Sequence, residues 1–158
     1  DVDDDAWYAT AVNTLASMGI LEGIGQDLFA PEKAITRAEF TTIAMRFAKL
    51  DVEGENIFTD VSEDAWYYDY VVGSVKYGWI NGYPDGTFRP DSTITRAEVT
   101  AITNRMLGRA ADEDYVDANA DILREFTDLD TSLWAYYDIV EATNSHEYTT
   151  ENGIESWQ

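Results

Sequence analysis

The sequence predicts a mostly α-helical fold built from tandem helix-loop-helix repeats. Three observations support this prediction: a helix start that occurs twice, an internal repeat of fixed period, and apolar residues at helical spacing. The helix start reads Ile-Thr-Arg-Ala-Glu at residues 35–39 and again at residues 94–98. A threonine followed three positions later by glutamate is a capping box, which marks the first turn of an α-helix.

The arginine of each helix start, Arg37 or Arg96, directly follows the capping threonine. It therefore takes the first helical position, beside unpaired backbone amides and the positive end of the helix dipole. A cation there weakens the helix slightly but concentrates positive potential, which suits a carboxylate or a phosphate. Both arginines are candidate anion contacts. The alternative is that they are surface residues or members of structural ion pairs.

The internal repeat has a period of 59 residues. Trp7 and Trp66 are 59 residues apart, and the same spacing relates a series of glycine, phenylalanine, proline and arginine pairs without a gap. A third, partial copy begins at Phe126, 68 residues after Phe58. It lacks the Ile-Thr-Arg-Ala-Glu helix start, which we call the box. We therefore expect a first module at residues 1–50, a second at 57–110, a connecting helix or insert at 111–125 and a partial third module at 126–158.

Each copy is expected to start with a helix that carries a tryptophan near its beginning. The residues expected to cap these helices are Asp3 to Asp5, Asp64 and Ser132. The first helix has an expected apolar stripe at Trp7, Ala11, Leu15 and Met18. Trp66 and Trp134 take the equivalent positions in the second and third copies, and Gly19 and Gly78 are expected to end the first two helices.

A turn-rich loop follows in each full copy. In the second copy it contains Pro84-Asp85-Gly86, a tight-turn signal, and Phe88 is expected either to join a brief strand or to point inward. The capped helices should bury Phe40, Ile43, Ala44 and Phe47 in the first copy and Val99, Ile102, Met106 and Leu107 in the second.

Two further arginines, Arg46 and Arg105, lie later in the capped helices. Arg46 is nine residues from Arg37, about half a helical rotation, so the two cannot share one site. We expect Arg46 and Arg105 to be solvated or paired with acidic neighbours. Residues 114–125 form another amphipathic stretch, which predicts a connecting helix.

Composition excludes several classes of function. The formal net charge of −21, from 10 basic and 31 acidic residues, argues against a nucleic-acid partner. The absence of cysteine excludes disulfides and thiolate chemistry. No apolar run reaches the length of about 18 residues that a membrane span needs. No leader is visible at Asp1, so we expect an intracellular protein or a mature or excised fragment.

These motifs together resemble the S-layer homology (SLH) module. The resemblance rests on Phe-Thr-Asp-Val at 58–61, Trp-Tyr at 66–67, the run from Gly78 to Pro90 and the Ile-Thr-Arg-Ala-Glu box, and it covers residues 1–110 strongly and 126–143 in part. It implies three modules packed as a pseudo-threefold helical bundle with grooves between them. It further implies non-covalent anchoring of an extracellular surface protein to the cell wall, through a secondary polysaccharide that carries a pyruvylated amino sugar.

Residue by residue, the resemblance assigns the anion contact to Arg37 and Arg96. The sugar-facing residues that it implies are Trp7, Trp66, Trp134, Gly23, Gly82, Tyr83 and Asp85. The tryptophans could instead belong to the core, and Gly82 and Gly86 could serve turn geometry alone. Because the third copy lacks the box, the insert could substitute for it, another module could precede Asp1, or chains could self-associate.

Rival functions receive less support. Acidic residues are plentiful enough for a glycosidase pair, but a repeat supplies matching sites where an enzyme wants two different ones. His146 is the only histidine, so no Ser-His-Asp set, metal site or cofactor is predicted. An EF-hand starting at Asp1 fails because Ala6 and Val12 stand where glycine and glutamate are needed. The main alternative is a protein-interaction or surface-assembly module without direct glycan binding.

Overall fold

The computed structural model describes residues 1–124, 126–151 and 154–158, without the side chain of Ile154, and is mostly helical. Its helices and strands, in chain order, are α1 (Ala9–Ser17), α2 (Arg37–Ala48), α3 (Tyr68–Lys76), α4 (Arg96–Leu107), α5 (Glu113–Ala118), α6 (Tyr136–Thr143), β1 (Tyr148–Glu151) and β2 (Ile154–Trp157). The predicted mostly α fold class is confirmed.

The chain divides into two compact units. Unit 1 comprises Asp1–Lys76 and Gly82–Thr93, and unit 2 comprises Tyr77–Asn81 and Ile94–Gln158. Unit 1 therefore holds α1, α2 and α3, whereas unit 2 holds α4, α5, α6 and the hairpin. The four module boundaries drawn from the repeat stay a sequence prediction.

Both predicted capping boxes are present. The hydroxyl of Thr36 accepts a hydrogen bond from the Glu39 amide at 3.2 Å, and the Glu39 carboxylate accepts one from the Thr36 amide at 2.8 Å. Thr95 and Glu98 repeat both contacts at 3.2 and 2.8 Å. Each closed box satisfies two backbone donors, which fixes the first residue of α2 and of α4.

The predicted starts of α1, α3 and α6 are wrong by several residues. α1 begins at Ala9, after an N-cap residue, Tyr8, that makes no side-chain cap hydrogen bond. The side chain of Asp3 instead accepts from the Asp5 amide, within a turn that precedes the helix. Because Trp7 therefore lies before α1, it does not join an apolar stripe and is 93 % exposed. Ala11 and Met18 are exposed as well, and Ala9 and Ile20 are the buried residues here.

The core of unit 1 lies between α2, α3 and the loop at residues 82–93. Phe88 is completely buried, which matches one of the two expected outcomes, that its side chain points inward. Its ring centre lies 5.4 Å from that of Phe58. α2 packs against α3, and Met45 of α2 and Val71 of α3 are both buried. The predicted stripe of α2 is rotated, because Phe47 is exposed and Thr41 and Met45 are buried instead.

The core of unit 2 is the cluster Val116, Tyr136, Val140 and Trp157. It joins α5 and α6 to the antiparallel hairpin, in which Tyr148 pairs with Trp157. The hairpin was not predicted. The connecting helix expected at residues 114–125 is shorter, because α5 ends at Ala118, and Glu125 lies outside the described residues. In α4, Leu107 is exposed where the stripe predicted burial.

Candidate functional site

Arg37, a predicted anion contact, is buried inside unit 1 and binds a loop of the protein itself. Its Nε donates a hydrogen bond to the carbonyl oxygen of Phe88 at 2.9 Å, and only 6 % of the residue is exposed. Its guanidinium carbon lies 4.8 Å from the ring centre of Tyr83 and 5.0 Å from that of Phe88. A carbonyl and two aromatic faces therefore surround the cation.

The backbone of the first box (residues 35–39) binds the same loop, residues 82–93, which we call the second loop. The Arg37 amide donates to the Ser92 carbonyl at 2.9 Å, and the Ala38 amide donates to the Pro90 carbonyl at 3.1 Å. Thr36 and Thr93 form an isolated antiparallel bridge. The amides that the helix start makes available to an anion are thus taken by carbonyl groups of the second loop.

Arg96, in the second box (residues 94–98), is in a different state from Arg37. Its side chain is exposed, and it has no hydrogen bond, ion pair or ring contact with another residue in the described parts of the chain. The anion contact assigned to Arg37 and Arg96 stays a prediction. Geometrically, Arg96 is accessible to a ligand and Arg37 is enclosed.

Aspartates from the start of each copy hold both loops in shape. The Asp60 carboxylate accepts from the amides of Phe88 and Arg89 at 2.7 and 2.8 Å. Asp1 does the same for Phe29 and Ala30 at 2.8 and 2.7 Å. Ala30 and Arg89 both have left-handed φ values, 57° and 59°, which a residue with a side chain adopts only when surrounding contacts impose it. The sequence analysis missed this contact. The available signal was that Asp1 and Asp60, each followed by a valine, occupy equivalent positions of the repeat.

The predicted loop residues have structural partners. A Cβ atom at Gly23 would clash with the Leu28 carbonyl, and one at Gly82 would clash with the Phe58 ring. Tyr83 lies under the guanidinium of Arg37 and also 3.9 Å from that of Arg89. Asp85 accepts hydrogen bonds from Thr87 and Arg89, which lower the pKa of Asp85 to about 2. Their roles toward a ligand stay predictions.

Unit 1 contains a groove of about 610 Å³. It is lined by residues 20–24, most of residues 29–35, the α2 residues Glu39, Thr42, Ile43 and Arg46, and Trp66. Two of the predicted ligand residues, Gly23 and Trp66, therefore meet here. Arg37 does not line this groove. The two cationic side chains that line the groove are Arg46 and Lys33.

Arg46 is the polar centre of the groove and was expected only as a solvated or paired residue. Its Nη1 lies 3.2 Å from the carboxylate of Glu22, and its Nε donates to the Tyr70 hydroxyl at 3.2 Å. The hydrogen bond with Tyr70 raises the pKa of Arg46 above its already high value, so the guanidinium stays charged. The Glu22 side chain is mostly exposed, which makes this ion pair weak and exchangeable.

The three predicted tryptophans are all exposed. Trp7, Trp66 and Trp134 have 93 %, 62 % and 61 % of their surface accessible, and each lies two residues before the first residue of its helix. The Trp66 ring meets the edge of Tyr67 at 5.3 Å between ring centres. The core alternative for these residues is therefore wrong.

Unit 2 contains a buried charged network that the sequence did not predict. Arg109 binds Glu155 at 2.7 Å and Glu141 at 2.6 Å, and its Nη2 lies 2.9 Å from Nε2 of His146. His146 donates its Nδ1 proton to the Asn144 carbonyl, so Nε2 accepts from Arg109. Burial, and next the neighbouring Glu155, raise the pKa of Glu141. The network connects the end of α4, α6 and the hairpin.

Comparison with known proteins gives a consistent family. The family model described as the S-layer homology domain matches residues 1–41 and 57–100. The chain is 38 % identical over 162 residues to the cellulosome-anchoring protein of Acetivibrio thermocellus, covering 98 % of this chain and 34 % of that protein. It is 34 % identical over 146 residues to the surface-layer 125 kDa protein of Lysinibacillus sphaericus, covering 90 % of this chain and 12 % of that one.

A third relative is an enzyme. The endo-1,4-beta-xylanase A of Thermoanaerobacterium saccharolyticum is 38 % identical over 100 residues, which is 61 % of this chain and 8 % of the xylanase. The chain thus spans about a third or less of the length of these relatives. Within the described residues, no helix combines the length and the apolar character needed to cross a bilayer.

Proposed function

Because the chain belongs to the S-layer homology domain family, we propose that it anchors a surface protein non-covalently to the bacterial cell wall by binding a cell-wall polysaccharide. The expected location at the cell surface agrees with relatives named for cellulosome anchoring and for the surface layer. Similarity to a small part of a xylanase supports a non-catalytic module that accompanies different functional domains. On this proposal the segment itself carries no catalysis.

The groove of unit 1 is the observation that carries the proposal. It brings an exposed indole, Trp66, into the same cavity as two cations, Arg46 and Lys33. Its volume of about 610 Å³ lies in the range of about 300–1,000 Å³ that is typical of small-ligand sites. A flat aromatic face beside a fixed cation suits a sugar that carries an acidic substituent.

Arg46 is the residue that we propose binds the acid group. A pyruvate ketal on an amino sugar presents a carboxylate, and a guanidinium can bind a carboxylate through two parallel hydrogen bonds. Because Glu22 is mostly exposed, a ligand carboxylate can replace it on Arg46 at little cost in free energy. Tyr70 keeps Nε of Arg46 engaged, which orients the guanidinium before the ligand arrives.

Trp66 and Trp7 provide a matched pair for testing the site. Both indoles are exposed, stand in equivalent positions of the repeat and contact the edge of a following tyrosine, but only Trp66 lines the groove. We expect Trp66→Ala to reduce co-sedimentation with purified cell-wall polysaccharide about tenfold or more, and Trp7→Ala to leave it within about twofold. An equal loss in both variants would contradict the assignment of the groove.

Removal of pyruvate from the polymer tests the ligand class. We expect chemical removal of pyruvate to abolish most of the binding of the parent chain, because the carboxylate partner of Arg46 is lost. Binding that ignores pyruvate would instead favour a module that recognises protein or a neutral part of the wall. That outcome would leave the family assignment untouched and overturn the proposed ligand.

A further inference from the structure

The second box repeats the geometry of the first but binds no loop among the described residues. The capping residues Thr36 and Thr95 have nearly the same backbone angles, −86° and 164° against −83° and 158°. Both helices have 12 residues and closed capping boxes. Yet Arg37 is buried under the second loop and Arg96 is exposed. At the 68-residue offset of the third copy, residues 150–158 align with residues 82–90 of that loop and share no identical residue with them.

The first loop, residues 23–34, repeats hydrogen bonds of the second loop, although its turn differs, with positive φ at Gly25 and Gln26 where the second loop has it at Gly82. Its Ile24 amide donates to the Leu28 carbonyl at 2.7 Å, as Tyr83 donates to Thr87 at 2.8 Å. The Lys33 amide donates to the Ala30 carbonyl at 3.0 Å, and in the second loop the Ser92 amide donates to the Arg89 carbonyl at 3.2 Å. Residues 29–33 of the first loop are equivalent to the residues that the first box binds in the second loop. They have the same aspartate contacts and the same left-handed residue.

The first loop also keeps its docking groups unoccupied. In the second loop, the carbonyl groups of Phe88, Pro90 and Ser92 accept from the first box. Their equivalents in the first loop are the carbonyl groups of Phe29, Pro31 and Lys33. None of the residues at 1–124, 126–151 or 154–158 donates a hydrogen bond to these three. The described parts of the chain thus hold one box that binds no loop and one loop that binds no box.

We propose that the second box of one chain binds the first loop of a second copy of the chain. Repeat equivalence assigns the contacts: Nε of Arg96 to the Phe29 carbonyl, the Arg96 amide to the Lys33 carbonyl and the Ala97 amide to the Pro31 carbonyl. Each is the counterpart of a hydrogen bond seen within unit 1. The occupant is thus identified by a pairing that the same sequence motifs already make in this molecule.

The contact joins different surfaces of the two copies. Such a heterologous interface builds a ring if the rotation closes and an open chain if it does not. The formal net charge of −21 opposes association, so contact formation needs salt. At an ionic strength of about 0.15 M, charges more than about 8 Å apart are largely screened.

This inference goes beyond the proposed function and reassigns one residue. Arg96, an anion contact in the sequence prediction, becomes a protein-docking residue, whereas polysaccharide binding depends on Arg46. Ile24 stands where the second loop has Tyr83, so Arg96 lacks the aromatic face that Arg37 uses. The contact between chains is therefore weaker than the one within the chain.

Sedimentation velocity of the chain over a concentration series, in about 0.15 M salt, tests the proposal. We expect a sedimentation coefficient that rises with concentration. Arg96→Glu should lower the association constant about tenfold or more, because it replaces a donor by an acceptor opposite a carbonyl group. The variant should fold, since glutamate at the first turn favours the helix dipole.

Two further variants make the result specific. Arg124→Glu changes the net charge equally at another exposed arginine of unit 2 and should leave association within about twofold of the parent. Ile24→Tyr restores the aromatic partner and should strengthen association roughly two- to fivefold.

Several results would overturn the proposal. They are a parent chain that stays monomeric at millimolar concentration, an Arg96→Glu variant that associates like the parent, and an Ile24→Tyr variant without any gain. Polysaccharide binding separates this proposal from the previous one, because Arg96→Glu should retain it. Loss of that binding with association unchanged would return Arg96 to the role of an anion contact.

Discussion

The Nε of Arg37 donates a 2.9 Å hydrogen bond to the carbonyl oxygen of Phe88, 51 residues further along the chain. This contact joins the box of the first copy to the loop of the second. Both residues are buried, so neither group can bind solvent water, and this hydrogen bond satisfies the donor and the acceptor instead. An arginine at a helix start therefore serves here to hold two repeats of one unit together.

Arg37→Ala and Arg96→Ala form a matched pair of variants for this role. We expect Arg37→Ala to lower the free energy of unfolding of unit 1 by about 2–4 kcal/mol, because it leaves a buried carbonyl unsatisfied and removes packing against two rings. Arg96→Ala, at an exposed position, should cost less than about 0.5 kcal/mol in unit 2. Native-state hydrogen exchange of α2 and α4 amides measures the two units separately. Equal effects would contradict the structural role of Arg37.

The two hydrogen bonds that the Asp60 carboxylate accepts from the second loop can be tested by replacing one carboxylate oxygen with an amide group. In Asp60→Asn, one of the two acceptor oxygens becomes an amide that faces the donor of Phe88 or Arg89. We expect a loss of about 1–3 kcal/mol in the free energy of unfolding, measured by urea denaturation. Asp91→Asn, an equal charge change at an exposed position, is the control. If both variants have the same urea midpoint, the carboxylate does not hold the loop.

Glu141 predicts a pH dependence of stability. Its Oε2 is buried and accepts no hydrogen bond from the described residues, and burial, followed by Glu155, raises the pKa of Glu141. The folded state therefore holds this proton more tightly than the unfolded state. The stability that protonation contributes is present below the ordinary pKa of 4.5 and is lost as pH rises through the raised value.

Glu141→Gln imitates the protonated side chain, so the variant should not lose stability as the pH rises through the pKa of Glu141. We expect the variant to melt at a higher temperature than the parent at pH 7, with the difference vanishing near pH 4, as measured by circular dichroism. Glu147→Gln, an exposed glutamate of the same unit, should change neither value. A Glu141→Gln variant that melts below the parent at pH 7 would show that the carboxylate charge stabilises the network.

The features predicted correctly from sequence are local ones. Thr36 and Glu39 are three residues apart, so their capping box needs no tertiary partner, and the same holds for the glycine with φ of 70° at the end of α1. The inward position of Phe88 was one of two expected outcomes. Family membership was recognisable because turn, box and aromatic residues recur at a fixed spacing.

The features missed depend on distant partners. Asp60 meets Phe88 across 28 residues, and Arg109 meets Glu155 across 46, so no local pattern indicates either pair. The apolar stripe of α1 failed because Trp7 belongs to a turn before the helix. Arg46 was expected to be either solvated or paired with an acidic neighbour. It pairs with Glu22, and only the fold shows that a groove lies beside that pair.

The most direct test of the central claim is isothermal titration of the chain with a synthetic pyruvylated amino sugar and with the same sugar lacking pyruvate. We expect the parent to bind the pyruvylated sugar about ten- to a hundredfold more tightly, the range expected for a charged hydrogen bond. Arg46→Gln should abolish this preference, whereas Arg105→Gln, its repeat equivalent in unit 2, should preserve it. A preference that survives Arg46→Gln unchanged would contradict the proposal that the groove of unit 1 binds the acid group.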